Sequence, residues 1–302
     1  TLSSQLSWNF VISSSQTGIP GVTSEDATDM YKALQIVLNK VKKNHSKPIT
    51  KTAVIGFGFG GLLAAHISSL DEQQKALNID RYVLVNPVVN VVHAITQIET
   101  RASIAHELGD KRVQKLKSQA FNFVYNNLSS TVSAMDSQYF LNLETKFPLP
   151  EKEYEFLTGA LLRLNVGDTI FATQLVNDIG VLKSKLTRYN QTDRHNEVNE
   201  FGLSGYLKQF ILPYFSTKYS KVLDILKQSN LHLVRKTLVE NKNIYLIHNA
   251  DDMLIDADQL TYLQNIFEND RRKIYPLGGH LGNLWYETNQ KDLLQMLEGI
   301  KN

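Results

Sequence analysis

Thr52-Ala-Val-Ile-Gly-Phe-Gly-Phe-Gly-Gly-Leu-Leu-Ala-Ala-His66 is a short apolar run, a knot of four glycines and a second apolar segment of helical character. It reads as strand, sharp turn and helix, with glycines where the backbone turns tightly or where strand and helix approach too closely for a Cβ. Two kinds of site are built on this geometry. In the nucleophile elbow, G-x-S-x-G, the middle residue stands on the strained turn with its side chain exposed. Gly56-Phe57-Gly58-Phe59-Gly60 fits that pattern except that Gly58 holds the nucleophile position. In the dinucleotide fingerprint, G-x-G-x-x-G, the glycines are matched in spacing by Gly56, Gly58 and Gly61.

Outward from this unit, strand and helix alternate. Upstream, Trp8-Asn-Phe-Val-Ile12 is apolar, β-branched and aromatic and runs into Ser13-Ser-Ser15 and a turn-rich stretch ending at Gly21, so it predicts a strand. Thr23 and Asp26 suggest a capping box for a helix over about 24–43, in which Met30, Leu34, Val37, Leu38 and Val41 recur at helical spacing. Downstream, Tyr82-Val-Leu-Val-Asn86 predicts a buried strand stopped by Pro87. Residues 92–235 hold polar segments of helical spacing, such as 113–128 and 206–215, broken by Pro148, Pro150, Gly159, Gly167 and Gly180, and no run resembling a central strand. Strands resume over 243–247 and 273–277, and a closing amphipathic helix covers about 290–300. This alternation implies a mostly parallel, doubly wound α/β sheet carrying a helical insertion. The domain reading is a core in two parts, 1–91 and 236–302, with the insertion at 92–235.

Composition narrows the function classes. The chain has 302 residues, is 42% hydrophobic and 21% charged, and carries a formal charge of +2. Its basic residues are scattered rather than striped, which gives no mandate for nucleic acid or an anionic membrane. No run approaches the ~18 apolar residues of a membrane span. With no cysteine, a disulfide framework, a thiolate nucleophile and cysteine metal ligands are all excluded. No cofactor is implied, and compartment and oligomeric state are left open.

The two glycine readings differ in what should follow. A dinucleotide fold wants an acidic residue at the end of the next strand, about 20 residues on, to hold a ribose hydroxyl. That strand ends in Asn86, with Asp80 before it, and another strand and helix precede the glycines. At the far end of the chain, His248-Asn-Ala-Asp-Asp-Met-Leu-Ile255 follows one strand and Gly278-Gly-His280-Leu-Gly-Asn follows the next. The order elbow, acid, histidine resembles the α/β-hydrolase superfamily. The resemblance implies Asp252 as the acid, with Asp251 the weaker candidate, and His280 as the general base. It places the backbone N–H of Phe59 at the oxyanion donor position and makes residues 92–235 a cap. Phe57 and Phe59 flank the turn as candidate pocket walls, core packing being the plainer reading. The implied ligand is a small acyl ester.

The chain departs from the family's pattern at Gly58, which offers no hydroxyl for His280 to deprotonate. Three explanations stand: an inactivated hydrolase that keeps its pocket for a ligand or partner, an ester hydrolase whose serine has been replaced, or a different nucleophile. Ser13 to Ser15 are candidates for the last, although serines before glycine and proline usually serve turns. The chain begins at Thr1 with no signal-peptide pattern, and only seven residues precede Trp8. The expectation is therefore an upstream extension bearing a further strand and a glycine-containing oxyanion loop. His66 reads as a packing or surface residue, since no partner has ligand spacing for a metal. If the resemblance holds, His280 should bond Asp252 or Asp251 and face the Gly58 turn across a pocket roofed by residues 92–235.

Overall fold

The computed structural model describes residues 2–46, 48–128, 147–185, 187 and 191–298. Four strands, β1 (Ala53–Phe57), β2 (Arg81–Val85), β3 (Ile244–Asn249) and β4 (Arg272–Tyr275), form one sheet in the order β1-β2-β3-β4. Every pairing is parallel. Among the described residues β1 has a neighbour on one side only, and no strand precedes it.

The register brings Phe57 beside Val85, Val85 beside Ile247, and Asn249 beside Tyr275. All four strands therefore end on one edge of the sheet, where ligands of open α/β sheets gather. β2 is buried along its whole length, as expected of a strand covered on both faces. Its alternation splits the core: Tyr82 and Leu84 join the large cluster beneath the helices, while Val83 and Val85 meet Met296 and Leu293 on the opposite face. β2 begins one residue before the expected start. Arg81 is accommodated because its guanidinium lies 4.4 Å over the Tyr245 ring and donates to the Met296 carbonyl.

The helices on the core are α1 (Trp8–Ser13), α2 (Thr23–Asn44) and α3 (Phe59–Gln74). The strand expected at Trp8–Ile12 is corrected to α1. Ser7 caps it by accepting from the Phe10 N–H, and Trp8 stacks on Phe171 with ring centroids 5.7 Å apart. A five-residue apolar run carries no periodicity that separates strand from helix, so cap and packing partner decide. The capping box is corrected too. Thr23 is already helical and gives its hydroxyl to the Ser229 carbonyl, while Asp26 reaches back to accept from the Gly21 N–H at 2.8 Å.

Between β2 and β3 the described residues hold helices and no strand. These are α4 (Val91–Ser103), α5 (Ala105–Leu108), α6 (Asp110–Leu128), α7 (Glu151–Leu162), α8 (Val166–Val176), α9 (Gln191–Asn199), α10 (Leu203–Tyr206), α11 (Leu212–Phe215), α12 (Val222–Lys227) and α13 (Arg235–Glu240). The helix expected over 206–215 is interrupted by a π-helical turn, Leu207–Ile211. Pro213 follows it and has no N–H to continue the ladder, which favours such a widening. Ile98, Tyr206, Phe210 and Ile225 join the same apolar cluster as the sheet, so the helical segment is packed continuously onto the core. After β3 come α14 (Ala257–Ile266) and, after β4, α15 (Glu287–Glu298). The expected end of the closing helix, at 299–300, lies outside the described residues. No helix among the described residues is long and apolar enough to cross a membrane.

His66, in the middle of α3, is buried, with Nε2 3.3 Å from the Asn230 carbonyl, and burial pushes its pKa down to about 4. A folded-state value below the ordinary one stabilises the protein above pH ~6.5 and is lost as pH falls toward 4. The gap corresponds to about 3 kcal/mol. Urea unfolding at pH 7 and pH 4 should show that loss in the original chain and a smaller one in His66→Gln. Equal losses in both would show that His66 does not set the pH dependence.

Candidate active site

The site is assembled at the carboxyl ends of β1, β2, β3 and β4. After β1 the chain turns at Gly58, with φ 56° and ψ −121°, directly into α3. The turn is held by the Gly58 N–H donating to the Val85 carbonyl and by the Gly58 carbonyl accepting from Gly61 N–H, both at 2.9 Å. L-residues rarely adopt a positive φ, and such strain concentrates at functional turns. The Phe59 N–H is one of the amides that a helix start leaves without an intrahelical acceptor. Its side chain packs against the main core, whereas Phe57 is 43% exposed.

His280 comes from the loop after β4, and Asp252 from the loop after β3. Nδ1 of His280 lies 2.9 Å from Asp252 Oδ2 and 3.2 Å from Oδ1. Both are nearly enclosed, with side chains 6% and 0% exposed. Burial alone would raise the Asp252 carboxyl. The hydrogen bond and charge of His280, together with the Leu254 N–H, overcome it and hold the pKa below the ordinary carboxylate range. Asp252 is thus the ionised partner that fixes the Nδ1–H tautomer and leaves Nε2 directed at Gly58.

Nε2 meets Gly58. A Cβ built on Gly58 would lie 2.9 Å from His280 Nε2 and 3.3 Å from its Cε1, closer than side chains tolerate. His280 thus faces the Gly58 turn, as expected, with Nε2 at the place that a side chain on Gly58 would fill. The reason is steric, since only a residue without a side chain lets the ring descend that far.

Asp251, the weaker acid candidate, points elsewhere. Its carboxylate accepts from the N–H groups of Gly278 and Gly279, at 3.1 and 2.8 Å, and so holds the histidine loop. Ser13, Ser14 and Ser15 bond locally, Ser13 Oγ donating to Asn9 O at 2.6 Å and Ser15 Oγ accepting from the Gly18 N–H at 3.2 Å. No cluster of three or more metal-ligating side chains occurs among the described residues.

Three asparagines that the sequence reading passed over complete the site. Asn86, at φ 46°, donates to Asp252 Oδ2 at 2.9 Å. Asn249 donates to the Gly279 carbonyl at 2.8 Å, and Asn249 and Asn283 exchange amide hydrogen bonds at 3.0 and 2.7 Å. The loops carrying acid and base are thereby fastened to each other and to the end of β2. A second histidine, His248, is fully buried with Nε2 4.0 Å from Asp252 Oδ2, and burial keeps its pKa low. The only sequence signal for the asparagines was their position, each at a strand end or beside a motif.

A cavity of about 40 Å³ lies beside the turn, walled by Phe59, by the start of the chain and by residues of α4, α10 and α12. His280 is not one of its walls.

A family model described as alpha/beta hydrolase fold matches residues 23–286. Among solved structures, an esterase from Pyrococcus furiosus is 12% identical, the match covering 90% of this chain and 62% of that one, with a TM-score of 0.37. A proline iminopeptidase from Mycobacterium smegmatis is 12% identical, covering 92% and 72%, with a TM-score of 0.36. An acetylester hydrolase from Corynebacterium glutamicum is 11% identical, covering 95% and 69%, with a TM-score of 0.38. The chain thus spans less than two thirds of the Pyrococcus esterase. No curated protein matches.

Proposed function

We infer, for a chain that belongs to the α/β-hydrolase fold family, that its site is that of an acyl-ester hydrolase stopped at the nucleophile position. The observation that carries this reading is that His280 Nε2 lies 2.9 Å from the place a Cβ on Gly58 would take, with Asp252 behind the imidazole. In this reading the base, the acid and one oxyanion donor are in place: His280 to take a proton, Asp252 to stabilise the imidazolium, and the Phe59 N–H to receive the oxyanion. The hydroxyl whose oxygen would attack the ester carbonyl is missing. The helices between β2 and β3 serve as the cap.

The second reading is a binding protein without turnover. It is favoured by the same closeness, because an imidazole 2.9 Å from the Cβ position of Gly58 leaves no space for a catalytic water where the serine side chain would stand. Release of p-nitrophenol from acetyl and butyryl esters separates the two. The original chain should give no turnover above buffer, and Gly58→Ser should give turnover that disappears when His280→Ala is added. Turnover in the original chain would overturn the assignment of Gly58. A folded Gly58→Ser with none would leave the binding role.

The gain in Gly58→Ser should be large enough to measure but short of that of a fully aligned triad. The new Cβ must push the imidazole back by a few tenths of an ångström against its bond to Asp252, and misplacements of about 1 Å cost ~10²-fold in rate. The positive φ should cost a further ~1–3 kcal/mol of stability.

A further inference from the structure

The cavity beside Phe59 is mostly apolar, and its polar lining residues are Gln5, Thr23, Tyr206, whose hydroxyl donates to the Pro20 carbonyl at 2.6 Å, and Ser229. Phe59, Ile95, Ile211 and Ile225 supply hydrocarbon, and Gln5 is the lining residue that carries a carboxamide. Gln5 is 4% exposed, and its Oε1 is buried with no hydrogen-bond partner among the described residues. Buried polar atoms without partners are rare and costly, and each asks for an explanation such as an absent water or ligand. The neighbouring hydroxyls do not supply one. Thr23 Oγ1 is committed to the Ser229 carbonyl at 3.3 Å, and Ser229 Oγ contacts the Thr23 N–H and the Gly21 carbonyl, each at 3.4 Å.

We propose that this cavity is a binding site for a small aliphatic alcohol, or for the hydroxyl-bearing end of a short alkyl chain, with the hydroxyl on the Gln5 carboxamide and the alkyl part against the isoleucines. Size sets the upper bound. A water needs about 10–15 Å³ measured this way, so 40 Å³ admits roughly three to four heavy atoms. Polarity sets the head group: one orphaned amide oxygen takes one donor. A hydroxyl also suits the opposite amide orientation, because it can accept as well as donate. The site requires no turnover and stands whether or not the Gly58 reading is correct.

The test is a methyl-NMR titration of the full chain labelled at isoleucine, with 1-propanol and 1-chloropropane as probes. The two are close in size and differ in the donor. Saturable shifts confined to Ile95, Ile211 and Ile225 are expected with propanol, and binding tighter than that of chloropropane by on the order of ten-fold, the range for one hydrogen bond to an otherwise unpaired buried group. Gln5→Met, of similar length and without the amide, should erase the preference, and Gln5→Leu provides a second apolar replacement if Met packs badly. Equal affinities for the two probes in the original chain would overturn the proposal without recourse to any variant. So would absence of saturable shifts, which would mean that the cavity holds only water, or a preference that survives in the folded variants.

Discussion

Gly56→Ala should leave little folded protein. A Cβ at Gly56 would lie 2.2 Å from the Gly60 carbonyl oxygen, 2.7 Å from its carbon and 2.8 Å from Ala64 Cβ. Two of these atoms are backbone in the first turn of α3, so no rotamer change relieves the overlap, and β1 and α3 would have to part. Alanine would ordinarily be the better residue by ~0.5–1 kcal/mol, so a large loss isolates the clash. We expect at least about 4 kcal/mol, against a total stability that for most domains is only ~5–15 kcal/mol. Gly60→Ala is the matched control, since nothing lies within 4 Å of the Cβ it would add. Its urea midpoint should stay near that of the original chain. A Gly56→Ala protein within ~1 kcal/mol of the original would show that the strand–turn–helix packing described here is wrong.

In a Gly58→Ser background, Asp252→Asn should lower ester turnover by roughly 10⁴-fold and Asp251→Asn by less than about 10-fold. The first estimate follows from the acid's task, which is to hold one tautomer of the imidazole and stabilise its charged form; an amide there holds the wrong tautomer. The second follows from geometry. Asp251 accepts two backbone N–H bonds from the loop that carries His280 and does not touch the ring's partner atoms. An asparagine keeps one acceptor, so the loop should survive with a small displacement. The measurement is kcat/KM for a butyryl ester at neutral pH, with circular dichroism as the check on folding. Equal losses would mean that the loop anchor matters as much as the dyad, and a larger loss at Asp251 would reassign the acid.

The sequence was most legible where local chemistry is self-contained. The glycine knot between an apolar strand and an apolar helix announced β1, its turn and α3, and the later strands were read within two residues at their starts, β2 and β3 as buried apolar runs and β4 from the short Ile-Tyr run before Pro276. The pairing of Asp252 with His280 was foreseeable because each sits just past a strand end, and a parallel sheet brings such loops together on one edge. Trp8–Ile12 failed for the opposite reason. Its helix depends on a stack with Phe171, a contact that no local pattern encodes. The asparagine fasteners were hidden likewise: Asn86 and Asn249 are 163 residues apart, and Asn249 reaches the Gly279 carbonyl 30 residues on. The closeness of His280 to Gly58 was beyond any motif, because it depends on how far a ring descends once no Cβ opposes it.

In the proposed reading Gly58 occupies a nucleophile position facing a working acid–base pair. Trapping with a fluorophosphonate that labels an activated hydroxyl, followed by intact-mass and peptide mass spectrometry, tests this. Gly58→Ser should take up one equivalent, on the peptide carrying position 58, at a rate that falls by about 10³-fold or more when His280→Ala is added. The original chain should take up none. An adduct on the original chain, an adduct mapping to another peptide, or a folded Gly58→Ser protein that stays unlabelled would contradict it.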